Sequence, residues 1–140
     1  MALAIGSALG LLVGLVSLLS GLDRDRGFYP TVLIVVSTYY VLFACMGDQA
    51  AIGPEVAGSA AFTILALVGL RTSLWVVVAG LVAHGLQDFV HAQFIENAGV
   101  PAWWPAFCGS IDLVLAACLA ARLRFPRLLS TAPRAGHEPR

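Results

Sequence analysis

The sequence predicts an all-α, polytopic membrane bundle with five transmembrane helices. Three observations predict it. Of 140 residues, 59% are hydrophobic and only 11% are charged, against about a quarter charged in an ordinary soluble domain. Mean hydropathy is +0.88. Apolar runs recur along the whole chain, each close to the roughly 20 residues that carry a helix across about 30 Å of hydrocarbon. Too few charges remain to build a wetted exterior, and the apolar content excludes a disordered chain. Zero net charge with no basic stripe excludes nucleic acid as a partner. The expected partner is the lipid bilayer, and the expected location is the plasma membrane, crossed several times.

The first segment runs from about Leu3 to Leu22. It has no positive n-region and is longer than a signal-peptide core, so it is expected to be a retained helix. The second runs from about Phe28 to Met46 and the third from about Ala50 to Leu70. Gly53 and Pro54 interrupt the third, which predicts a short helix starting at Pro54, where a missing N–H is harmless. The fourth runs from about Ser73 to Ile95 and the fifth from about Trp103 to Ala121. In lipid each must be helical, because every backbone polar group needs an internal partner. The five helices form one domain over residues 1–126, and residues 127–140 read as a polar, disordered cytoplasmic tail.

Charge placement predicts the orientation. All eight basic residues are arginines. They fall in the first loop (Arg24, Arg26), the third loop (Arg71) and the C-terminal segment (Arg122, Arg124, Arg127, Arg134, Arg140). Five spans put these three segments on one side, which the positive-inside rule makes cytoplasmic, with the N-terminus outside. Trp103 and Trp104, and Phe28 and Tyr29, are placed for interfacial belts.

Small residues mark packing faces. Gly6, Gly10 and Gly14 form a flat stripe on the first helix. Such a stripe serves either a homo-oligomer or a second helix of the same chain. Ala57 and Ala61 offer a weaker stripe. Gly80, one turn before His84, predicts close approach of a neighbouring backbone to that histidine. No internal repeat is evident.

The functional signal lies in ionisable residues inside the spans, which cost roughly 2.5–3.5 kcal/mol each on insertion scales. His84, Gln87, Asp88 and His91 form one polar stripe on the fourth helix. Asp112 on the fifth helix lies at the same depth as Asp88, about 12 Å at 1.5 Å per residue, with Cys108 one turn before it. Two carboxylates at one depth require a proton, a histidinium or a metal ion between them. The metal reading assigns His84, Asp88, His91 and Asp112 as ligands of a divalent transition metal such as zinc or iron, with Cys108 as an extra donor. The alternatives are a hydrogen-bonded tie between helices, proton or solute transfer, and catalysis by an intramembrane lipid isomerase or hydrolase using the histidines as acid and base.

Other polar residues carry weaker signals. Asp48, Glu55 and Glu96 read as solvated loop charges or an acidic mouth. Ser37, Thr38, Tyr39 and Tyr40 line a cavity or bond to backbone. Cys45, Cys108 and Cys118 lack metal-motif spacing and are expected to be free thiols. No phosphate-binding loop or nucleophile elbow is present.

The stretch His84-Gly-Leu-Gln-Asp88-Phe-Val-His91, followed by two prolines, Cys108 and Asp112, resembles a family of small bacterial integral-membrane proteins of unknown function. The resemblance covers the last two helices through His84, Asp88, His91, Cys108 and Asp112. This chain departs from it at Gln87, where an aromatic is expected, and at Ala92, where a second histidine often follows. The resemblance implies membrane location. The His-x-x-x-acid helix is also loosely similar to membrane sterol isomerases, whose wider motifs are not evident.

Overall fold

The computed structural model describes residues 1–125. Five helices follow in order: α1 (Ala2–Ser20), α2 (Phe28–Gly47), α3 (Ile52–Arg71), α4 (Leu74–Val90) and α5 (Trp104–Arg124). All five spans are long and apolar enough to cross a membrane, and no strand occurs among the described residues. The chain has the architecture of a multi-pass membrane protein. The tail expected at 127–140, with Arg127, Arg134 and Arg140, lies outside the described residues.

Local chemistry sets the boundaries. Gly21, at φ 79°, adopts the left-handed conformation that ends α1. Ser73 caps α4 by accepting from the Trp75 N–H at 3.3 Å. Proline opens α5 in its first turn. Two boundaries differ from expectation. Helix α3 starts at Ile52, not Pro54, and is 20 residues long. Pro54 sits within its first turn, where no intrahelical donor is lost. Helix α4 ends at Val90, and His91–Gln93 form a separate 3₁₀ turn.

Helix α5 packs between α1 and α4, α4 continues onto α3, and α3 onto α2. Gly6, Gly10 and Gly14 are buried against α5. A Cβ at Gly10 would lie 3.0 Å from Val114, and one at Gly14 2.7 Å from the Cys118 sulfur. The glycine stripe is therefore covered within the chain, by backbone approach of the kind small residues permit. Ala57 and Ala61 point outward; the inward face of α3 carries Glu55, Ser59, Ala66 and Gly69. Tyr29 is buried in the core instead of forming an interfacial belt.

The two ends of the bundle differ. At one end Arg26 donates to the Leu70 and Thr72 carbonyls (2.7 and 2.9 Å), and Arg122 pairs with Asp23 at 3.2 Å. The first loop, the third loop and the end of α5 thus meet. At the other end Asp48 accepts from the Ala98 N–H at 3.3 Å, joining the second and fourth loops.

Candidate functional site

The α4–α5 crossing builds the site. Gly85 and Gly109 face one another: a Cβ on Gly85 would sit 2.9 Å from the Gly109 carbonyl oxygen, and one on Gly109 2.8 Å from the Gly85 carbonyl oxygen. Only glycine permits this approach. Gly80, expected to provide it, meets the Leu33 and Leu65 side chains instead.

The close crossing brings His84, Asp88 and Asp112 together. All are sealed from solvent, at 1%, 1% and 0% exposure. His84 Nδ1 lies 2.6 Å from Asp112 Oδ2 and 3.9 Å from Asp88 Oδ2. One ligand atom from each residue lies within 4.8 Å of the others. Asp112 accepts from His84, yet its Oδ1 and both oxygens of Asp88 have no hydrogen-bond partner among the described residues. The Tyr40 hydroxyl and the Cys108 thiol face Asp88 as hydrogen-bond donors, at a geometry short of a full hydrogen bond. Phe62 abuts the His84 ring edge-on at 4.8 Å.

His91 stands apart from this group, although residues at i and i+7 share a helical face. The helix gives way to a tighter turn at His91, which directs the ring to α3. There His91 Nε2 lies 2.9 Å from Glu55 Oε1, and Asn97 donates to the same oxygen at 2.7 Å. Tyr40 stacks on the His91 ring at 4.0 Å. Glu55 is thus a buried partner, not the solvated loop charge expected. Its signal was legible: Glu55, Ser59, Phe62, Ala66 and Gly69 follow the four-three spacing of one helix face.

The remaining polar residues divide. Ser37 and Thr38 donate to backbone carbonyls at 2.8 and 2.7 Å, and Tyr39 joins Trp104 in an aromatic cluster. Gln87 is half-buried on a groove of about 640 Å³ shared with His91 and Phe94. A second groove of about 680 Å³ runs between Phe28 and Trp104 and reaches Cys108. Neither groove is lined by His84, Asp88 or Asp112. The three cysteines are free.

A further pattern escaped the sequence reading. His84-Gly85-Leu-Gln-Asp88 on α4 and Cys108-Gly109-Ser-Ile-Asp112 on α5 share the spacing of donor residue, glycine and aspartate. The chain matches no protein-family model, no curated protein and no solved structure.

Proposed function

We propose that the protein is a plasma-membrane protein that binds a divalent transition metal between α4 and α5, through His84, Asp88 and Asp112. The observation that carries this reading is the set of three buried carboxylate oxygens, two on Asp88 and one on Asp112, with no full hydrogen bond among the described residues, although the Tyr40 hydroxyl and Cys108 thiol face Asp88. An unsatisfied buried acceptor costs about 1–3 kcal/mol, and more when charged. A divalent cation offsets both carboxylates at once, and an imidazole with two carboxylates suits zinc, iron or manganese. Ligands about 2.0–2.1 Å from a tetrahedral ion sit about 3.3 Å apart. The His84–Asp112 contact therefore opens slightly on binding, exchanging one hydrogen bond for two metal bonds. His91, engaged by Glu55, is left out of the ligand set.

The clustering of arginines at one end supports a cytoplasmic position for that end, with the N-terminus outside. The lipid-enzyme reading requires a cavity open to the bilayer beside His84. The Gly85–Gly109 contact closes the helices at that level, which favours the metal.

Elemental analysis of detergent-purified protein tests the reading. One equivalent of metal is expected in the natural protein, with most of it lost in a His84→Ala/Asp112→Asn double variant. Metal-free protein that also fails to take up zinc, iron or manganese would leave the cluster as a tie between helices.

A further inference from the structure

A cation held by His84, Asp88 and Asp112 has to reach them through protein, because all three are sealed from solvent. The two ways out of the cluster differ. Toward the end where the arginines gather lie Leu33, Val77, Leu81, Leu115 and Leu119, each at most 1% exposed. From Asp112 to Leu119 this apolar layer is about 10 Å deep at 1.5 Å per residue. It offers an ion no donor in place of its water, which makes passage prohibitive. Toward the other end the polar groups continue. The Tyr40 ring bridges the two histidines, its centroid 6.5 Å from the His84 ring and stacked at 4.0 Å on the His91 ring. Beyond it His91 meets Glu55 at 2.9 Å. Pro54, the residue before Glu55, lines a surface cavity of about 320 Å³ together with Asp48 and Glu96.

The fourth loop closes this second way. Asn97 donates to the Tyr40 carbonyl at 3.2 Å and to Glu55 at 2.7 Å. Behind it Gly99 abuts the Phe43 carbonyl, a contact that a Cβ would block, and Asp48 accepts from the Ala98 N–H at 3.3 Å. We infer that the cation enters and leaves the cluster from this end, past the Tyr40 ring, with the Asn97 loop as the plug that lifts. The inference rests on the metal reading above and adds its route. Helices α4 and α5 stay packed throughout. The moving parts are one ring and a loop in which Phe94, Glu96 and Ala98 are exposed, and a segment with few buried contacts opens at lower cost than a packed helix pair.

Metal release to an excess of chromogenic chelator tests this in the full-length protein in detergent. The probe is zinc, iron(II) or manganese(II), whichever loads the natural protein to one equivalent. Each variant is loaded and its bound metal counted before release, so that site and route are read separately. Tyr40→Ala is expected to hold the natural amount and release it at least about tenfold faster, the effect of taking about 1.4 kcal/mol off the barrier. Tyr40→Phe keeps the ring and is expected to release at the natural rate. Leu81→Ala opens space on the opposite side of His84 and is also expected to release at the natural rate. Asn97→Ala loosens the plug without touching the core; it is expected to speed release, and it carries the test should Tyr40→Ala not fold. Acceleration in Leu81→Ala but not in the Tyr40→Ala or Asn97→Ala proteins overturns the route and leaves the metal reading standing. Equal acceleration in all of them does the same, since it reports general loosening. Release from Tyr40→Phe as fast as from Tyr40→Ala overturns the ring as the barrier. A natural protein that takes up none of the three metals removes both proposals.

Discussion

Two histidine–carboxylate pairs lie seven positions apart on α4 and the turn that continues it. They are built differently. In the His91–Glu55 pair one carboxylate oxygen receives both the imidazole at 2.9 Å and the Asn97 amide at 2.7 Å, and Tyr40 covers the ring. In the His84–Asp112 pair a second carboxylate, Asp88, stands 3.9 Å from the imidazole, and three oxygens have no full hydrogen bond among the described residues. A saturated pair holds elements together. An unsaturated one gathers two carboxyl groups inside the bundle, which is costly in the ionised form unless a proton or a cation is held there. The first ties α4 to α3; the second has the chemistry of a site.

The largest expected effect comes from breaking the crossing that assembles the second pair. In Gly109→Val the new side chain begins 2.8 Å from the Gly85 carbonyl oxygen and 3.2 Å from Asp88. The helices must separate, at a cost of about 3 kcal/mol by analogy with overpacked cores. A lower thermal midpoint of the purified protein, with loss of bound metal, is expected. Unchanged stability would mean that α4 and α5 do not meet at these glycines.

The saturated pair is probed by Glu55→Ala. Removing the shared acceptor leaves the buried His91 without a partner and the half-buried Asn97 with the Tyr40 carbonyl alone, at about 1–3 kcal/mol. Stability is expected to fall while metal stoichiometry stays the same, because Glu55 contributes no ligand. Loss of metal with little loss of stability would reverse the roles assigned to the two pairs.

The comparison also shows what the sequence reveals. The five spans were legible because hydrocarbon thickness dictates helix length, and the matched depth of Asp88 and Asp112 followed from helical rise alone. Their meeting with His84 matches that expectation. The place of His91 was not legible: an unbroken α4 keeps it on the face of His84, whereas His91 opens the 3₁₀ turn that follows Val90 and meets Glu55 there. Glu55 was legible as a member of one α3 face with Ser59, Phe62, Ala66 and Gly69, but its partner was not, because nothing in the chain marks the turn that brings His91 to it. Gly85 and Gly109 drew no notice because a lone glycine signals nothing until its counterpart on the next helix is known. The repeated donor-glycine-x-x-aspartate spacing was the available cue.

The smallest expected effect has the opposite sign and separates the two pairs most sharply. Asp88→Asn keeps the size of the side chain, removes one negative charge from the unsaturated cluster, and adds an amide donor within reach of neighbouring acceptors. In metal-free protein this change is expected to stabilise the fold by about 1 kcal/mol, the scale of one hydrogen bond gained. Metal binding is expected to fall at the same time. Metal-free and zinc-loaded samples of the natural protein and the variant, compared by thermal denaturation, give both answers: zinc raises the midpoint of the natural protein and leaves the variant unmoved. The same substitution logic applied to Glu55 gives only destabilisation, because one of the two oxygens is replaced by a donor while the Asn97 amide, itself a donor, already faces that group. A destabilised metal-free Asp88→Asn protein would place Asp88 with Glu55, as a structural carboxylate whose partner is in the fold itself.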